Sequence, residues 1–125
     1  MRILLILIAI SVSLYSCTEN QQTQLKKKYI KDLKLWVKSG SRNQNDIRTQ
    51  VIEPCGKLVM LLATAKEKAD YISRSQIKEF DLRVSFCMSA VISKVWPNQP
   101  GFDEFQKKAC RENIPLVKLV CKEFI

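Results

Sequence analysis

Apolar residues run without a break from Ile3 to Ile10 and continue through Val12 to Leu14, interrupted only by serines, before Thr18-Glu19-Asn20-Gln21-Gln22 turns wholly polar. A helix that crosses a bilayer needs about 20 consecutive apolar residues. This run is shorter. With Arg2 ahead of it, the pattern predicts a signal peptide over residues 1–16, a positive start followed by an apolar core and small residues.

Beyond a polar tether over residues 17–23, the spacing of apolar residues becomes helical. It predicts a helix from about Gln24 to Lys38, with Thr23 as N-cap and Gly40 just past its end. Leu25, Tyr29, Leu33 and Trp36 share one face of that helix, widened by Ile30 and Val37, while Lys27, Lys31, Lys34 and Lys38 line the other.

A short helix from Asp46 to Glu53 is expected next, with Pro54 opening a longer one to about Lys68. Leu58 to Ala63 is apolar all round, which marks that longer helix as the buried centre of the fold. Ser73 and Gln76 give a capping-box signal for a third long helix, on which Ile77, Phe80, Val84, Cys87, Val91 and Val95 form a core stripe. Asp81 falls close to that stripe, as an acid to be satisfied by Lys or Arg. Trp96-Pro97 ends the helix, since the residue before a proline is pushed out of helical geometry. The turn Asn98-Gln99-Pro100-Gly101 leads into a helix from about Phe102 to Arg111, and Asn113 and Pro115 introduce a last one carrying Leu116, Val117, Val120, Cys121 and Phe124.

No segment sustains the polar and apolar alternation of a half-buried strand. The fold class that follows is all-α, a small disulfide-stapled bundle of about four to six helices. Removing residues 1–16 from the 125-residue chain leaves 109, enough for a single domain over residues 24–125 and too few for two.

Five cysteines in an exported chain leave one unpaired. If Cys17 is the odd one, Cys55, Cys87, Cys110 and Cys121 can close two disulfides. In an antiparallel hairpin, partners lie equidistant from the turn. Cys87 and Cys110 are centred on the Asn98-Gln99 turn, which favours a nested pairing with Cys55 bound to Cys121. Cys55 and Cys87 are centred near Tyr71, which leaves a sequential pairing open, with Cys110 bound to Cys121. The latter bond has to reach about 9 Å along a helix that starts at Pro115.

The end of the apolar run, Leu14-Tyr15-Ser16-Cys17, resembles the lipobox of bacterial lipoproteins. The resemblance covers these residues alone, and Tyr15 departs from the small or β-branched residue usual at its position. It implies cleavage before Cys17, lipid on that thiol and attachment to a membrane through the lipid. Thr18, rather than an aspartate, follows the cysteine, which in a host with two membranes implies the periplasmic face of the outer membrane.

Charge adds a candidate contact. The formal net charge of +9 falls to +8 once Arg2 is removed with the signal, and a basic excess suits an anionic partner such as a lipid headgroup, a cell-wall polymer or an acidic protein. Export disfavours nucleic acid. Lys27, Lys31, Lys34 and Lys38 are the candidate contact with an anionic surface, and Trp96 and Phe102, flanking a tight turn, are candidate anchors for a protein partner.

The chain contains no histidine, which excludes Ser–His and Cys–His nucleophiles. With no C-x-x-C spacing either, a zinc or redox site is not expected. No metal, cofactor or catalytic residue is assigned, and the chain reads as a non-enzyme. The sequence thus points to a lipid-anchored periplasmic or cell-envelope interaction protein, of an immunity or inhibitor type, with a protein partner. The alternatives are a structural envelope component that contacts anionic lipid or cell-wall polymer, and a non-lipidated secreted effector or ligand carrier.

Overall fold

The computed structural model describes residues 2–96 and 102–125, with side chains over residues 20–96 and 103–125. Among the described residues every regular element is helical: α1 (Arg2–Ser39), α2 (Gln44–Ile47), a wide π turn (Arg48–Ile52), α3 (Glu53–Leu61), α4 (Ala65–Ile72), α5 (Ile77–Ile92), α6 (Phe102–Ala109) and α7 (Pro115–Phe124). The segment from α2 through the wide turn to α3 is one unbroken path, so the chain forms a small all-α bundle stapled by disulfides. The expected turn Asn98-Gln99-Pro100-Gly101 and Pro97 lie outside the described residues, as do the side chains of Cys17 and Phe102.

The first helix does not begin after Thr23. It is continuous from Arg2 to Ser39, so the segment read as a tether is helical. No glycine or proline interrupts that stretch, and a single threonine costs well under about 1 kcal/mol inside a helix. Gly40 ends it, adopting a left-handed φ of 60° and donating its N–H to the Trp36 carbonyl at 2.9 Å. Burial on this helix starts at Ile30 and continues through Leu33 and Trp36. Leu25, expected on the packed face, is exposed, one of the large apolar side chains that the bundle leaves open.

Asn43 caps α2, its side-chain oxygen accepting from the Asn45 N–H at 2.8 Å. Pro54 lies inside the continuous path rather than at a fresh start. A proline there removes the bond to the Gln50 carbonyl and presses its ring toward it. The widened turn just before it makes room, with Glu53 N–H bonded to the Arg48 carbonyl five residues back.

The long helix expected from Pro54 to Lys68 is two helices. Thr64 and Glu67 form a reciprocal capping box that starts α4 afresh, with Thr64 N–H donated to Glu67 Oε1 at 3.0 Å and Glu67 N–H to Thr64 Oγ1 at 3.2 Å. Ser73 and Gln76 do not cap α5. Ser73 instead closes α4 through its N–H to the Ala69 carbonyl, and Arg74 reverses the chain with a φ of 66°. α5 ends at Ile92, ahead of Val95 and Trp96. Asp81 is exposed, on the side of α5 away from Cys87, Ala90 and Val91.

The pairing of the cysteines is sequential. Cys55 bonds Cys87 and Cys110 bonds Cys121, with Cα atoms 5.8 and 5.9 Å apart. The nested arrangement gives way because α5 packs on α3 and α7. The bond to Cys121 is within reach, since Cys110 to Ile114 is non-helical chain that turns at Cys110 and Arg111 and is extended at Ile114, and five residues can span up to about 15 Å. Cys55 and Cys87 join Leu33, Trp36, Val51, Leu58, Val91 and Val120 in the fully buried centre of one core.

Candidate functional site

α7 is fixed to the bundle by its buried Leu116, Val117, Val120 and Phe124, and by the disulfide from Cys121. Leu119 and Glu123, one helical turn apart, are thereby presented to α1. Together with Lys26, Lys27, Ile30, Lys31, Lys34, Leu35 and Lys38 they line an open groove of about 510 Å³. Every lysine of the stripe contributes to it. Lys27, Lys31, Lys34 and Lys38 are all exposed, and the buried Ile30, the half-buried Leu119 and the half-exposed Leu35 line the groove with them.

Lys34 Nζ donates to Glu123 Oε2 at 2.5 Å across the groove. That ammonium, outweighing burial and helped by Lys122, holds the Glu123 carboxyl below its ordinary value of 4.5. Lys26, Lys27, Lys31 and Lys38 form no ion pair among the described residues. The groove therefore carries a positive rim compensated only at Lys34, beside an aliphatic strip that the lysine stems extend.

Trp96 is half-buried elsewhere, edge-on to Trp36 with centroids 6.5 Å apart and the Arg42 guanidinium 5.6 Å from its ring. Its ring N–H meets no hydrogen-bond partner among the described residues. Trp96 is not part of the groove lining. A second, shallower depression of about 580 Å³ is lined by Tyr29, Glu53, Lys57, Met60 and Phe80 among others, with mixed charge around its edge.

The lysines were legible in the sequence by their spacing. Leu35, Lys26, Leu119 and Glu123 were not. Leu35 carried a faint signal as an apolar residue bordering the polar side of α1; Glu123 and Leu119 carried none, because only the tertiary packing of α7 brings them there. No group of His, Cys, Asp or Glu side chains suited to a metal occurs among the described residues, and no helix among them is long and apolar enough to cross a membrane.

No family model, no curated protein and no solved structure matches this chain. What the groove offers chemically is non-covalent: an array of fixed cations beside an apolar strip.

Proposed function

We propose that the chain is an exported protein, lipidated on Cys17 and held at the cell envelope, which acts by binding a protein partner, in the manner of an immunity or inhibitor protein. The observation that carries this reading is the pairing of the cysteines. Cys55 with Cys87 and Cys110 with Cys121 account for all but one of the chain's five. The one remaining is Cys17, at the lipobox-like Leu14-Tyr15-Ser16-Cys17, and an odd thiol in an oxidising compartment calls for another chemical fate.

The groove supplies the binding half. A row of lysines of which only Lys34 is paired, with aliphatic residues beside it, is a surface for recognition, since charge on the rim steers encounter while the apolar strip supplies contact area. In a host with two membranes the location would be the periplasmic face of the outer membrane.

A photo-reactive residue placed at Leu35, and separately at the exposed Ser85 on α5, tests the reading in living cells. The reading predicts one discrete protein adduct from position 35, found in the membrane fraction, and none from position 85. Adducts of the same kind from both positions, or adducts from position 35 to lipid alone, would remove it.

A further inference from the structure

We infer that the groove between α1 and α7 is the docking site for an acidic amphipathic helix of the partner protein. This rests on the binding reading above and names the chemistry of what is bound.

Lys27, Lys31, Lys34 and Lys38 follow one another at intervals of four, three and four residues on α1, so the row is about 16 Å long, three helical turns. A ligand with a single anionic head would engage one end of such a row and leave the others unused. The complementary ligand repeats its charge about every 5 Å, as acids at the same helical spacing do.

The apolar strip narrows the class further. Ile30 and Leu119 are buried and half-buried in the groove, and Leu35, 53% exposed, lines it beside the lysines. A polymer that is charged all round leaves these side chains wet, whereas an amphipathic helix covers them with its own apolar stripe while its acids meet the rim. Shape agrees with this. The surface is an open groove lined from two helices, into which a third helix can lay a ridge of its side chains and which the flat face of a bilayer does not match.

The protein already contains one instance of the contact. Glu123, an acid on a helix, reaches Lys34 in the middle of the row at 2.5 Å. Lys27 and Lys31 on one side of it and Lys38 on the other remain for acids supplied from outside.

The test uses the full chain in nanodiscs of neutral phosphatidylcholine and a fluorescent peptide of about 18 residues, roughly five helical turns, with glutamates at the lysine spacing and leucines on the adjoining stripe. A scrambled peptide of identical composition has the same charge without the helical pattern. The patterned peptide should bind about tenfold more tightly than the scrambled one. Both Leu35→Gln and the triple variant Lys27→Gln, Lys31→Gln, Lys38→Gln should abolish that preference. These residues are exposed, so the fold is expected to survive, and melting curves check that it does. Equal binding of the two peptides reduces the groove to general anion attraction and overturns the inference. So does loss of peptide binding when anionic phosphatidylglycerol enters the discs, since the bilayer is then the occupant. A discrete adduct from position 35 in cells, alongside either of those results, keeps the partner-binding reading and removes only the acidic helix.

Discussion

Lys34 on α1 and Glu123 on α7 meet at 2.5 Å although 89 residues separate them in the chain. The contact crosses the middle of a lysine row, so the chain's own acid neutralises the central cation of the groove and leaves those at both ends free. With the lysine side chain 53% exposed, such a pair contributes only about 0–1 kcal/mol to stability. Its larger consequence is electrostatic.

Glu123→Gln should therefore leave the melting temperature nearly unchanged while tightening the groove's hold on an acidic peptide by a factor of a few, an effect that fades as added salt screens it. Peptide titrations at low and physiological salt check this. The sign of the pH effect follows from the depressed Glu123 pKa: the pair's contribution is fully present above the ordinary value of 4.5 and is lost as pH falls through the lower folded value.

Glu67 should matter more to folding. Its carboxyl is held below 4.5 mainly by the Thr64 backbone N–H, with Arg83 adding to the effect against the opposing cost of burial. It also bonds Tyr71 and forms an ion pair with Arg83. Glu67→Ala removes half of a capping box, a loss of about 1 kcal/mol near neutral pH. A depressed acid stabilises above its ordinary pKa and ceases to do so as pH falls. The gap between wild type and variant in urea denaturation should thus narrow from pH 7 to pH 3.

The two disulfides should differ in access. Cys55 and Cys87 are fully buried in the core, whereas Cys110 and Cys121 are only half-buried. Graded treatment with a mild reductant, followed by alkylation and mass mapping, should label Cys110 and Cys121 first. The bridges span 32 and 11 residues, for which loop closure gives about 4 and about 3 kcal/mol. Replacing Cys55 and Cys87 should accordingly lower the melting temperature more, the packing defect adding to the difference.

Trp96→Ala should cost several degrees of melting temperature, since an edge-on aromatic pair is worth about 0.5–1.5 kcal/mol beyond its burial and Trp96 lies in that way on Trp36. Loss of partner capture at an unchanged melting temperature would instead make Trp96 an anchor for the partner.

Much of the helical layout was legible because local signals carried it. Gly40 stops α1, Pro115 opens α7, and the buried Leu116, Val117, Val120 and Phe124 follow the spacing read from the sequence. Expectation and structure part where two local signals compete. Thr64-Ala65-Lys66-Glu67 fits a capping box, yet the apolar run Leu58 to Ala63 just before it suggested that one helix continued through. Ser73 with Gln76 fits the same pattern loosely, but the left-handed Arg74 between them makes a reversal instead. Thr23 and Asn43 are both N-cap residue types, Asn the stronger, and only Asn43 is used, because nothing upstream of Thr23 breaks the helix whereas Gly40 precedes Asn43. The groove was half legible for a similar reason. Helical spacing puts the lysines in a row, but the residues that make that row concave come from α7, whose position depends on Cys110 and Cys121 finding each other across a short non-helical stretch.

The central claim is that Cys17 carries lipid, since this places the groove at the envelope. Metabolic labelling with a tagged fatty acid, comparing wild type with Cys17→Ser, measures it directly. Label is expected on the wild-type protein in the membrane fraction, and none on the serine variant, which is released in soluble form. Label that persists in the serine variant, or a wild type without label, would contradict it.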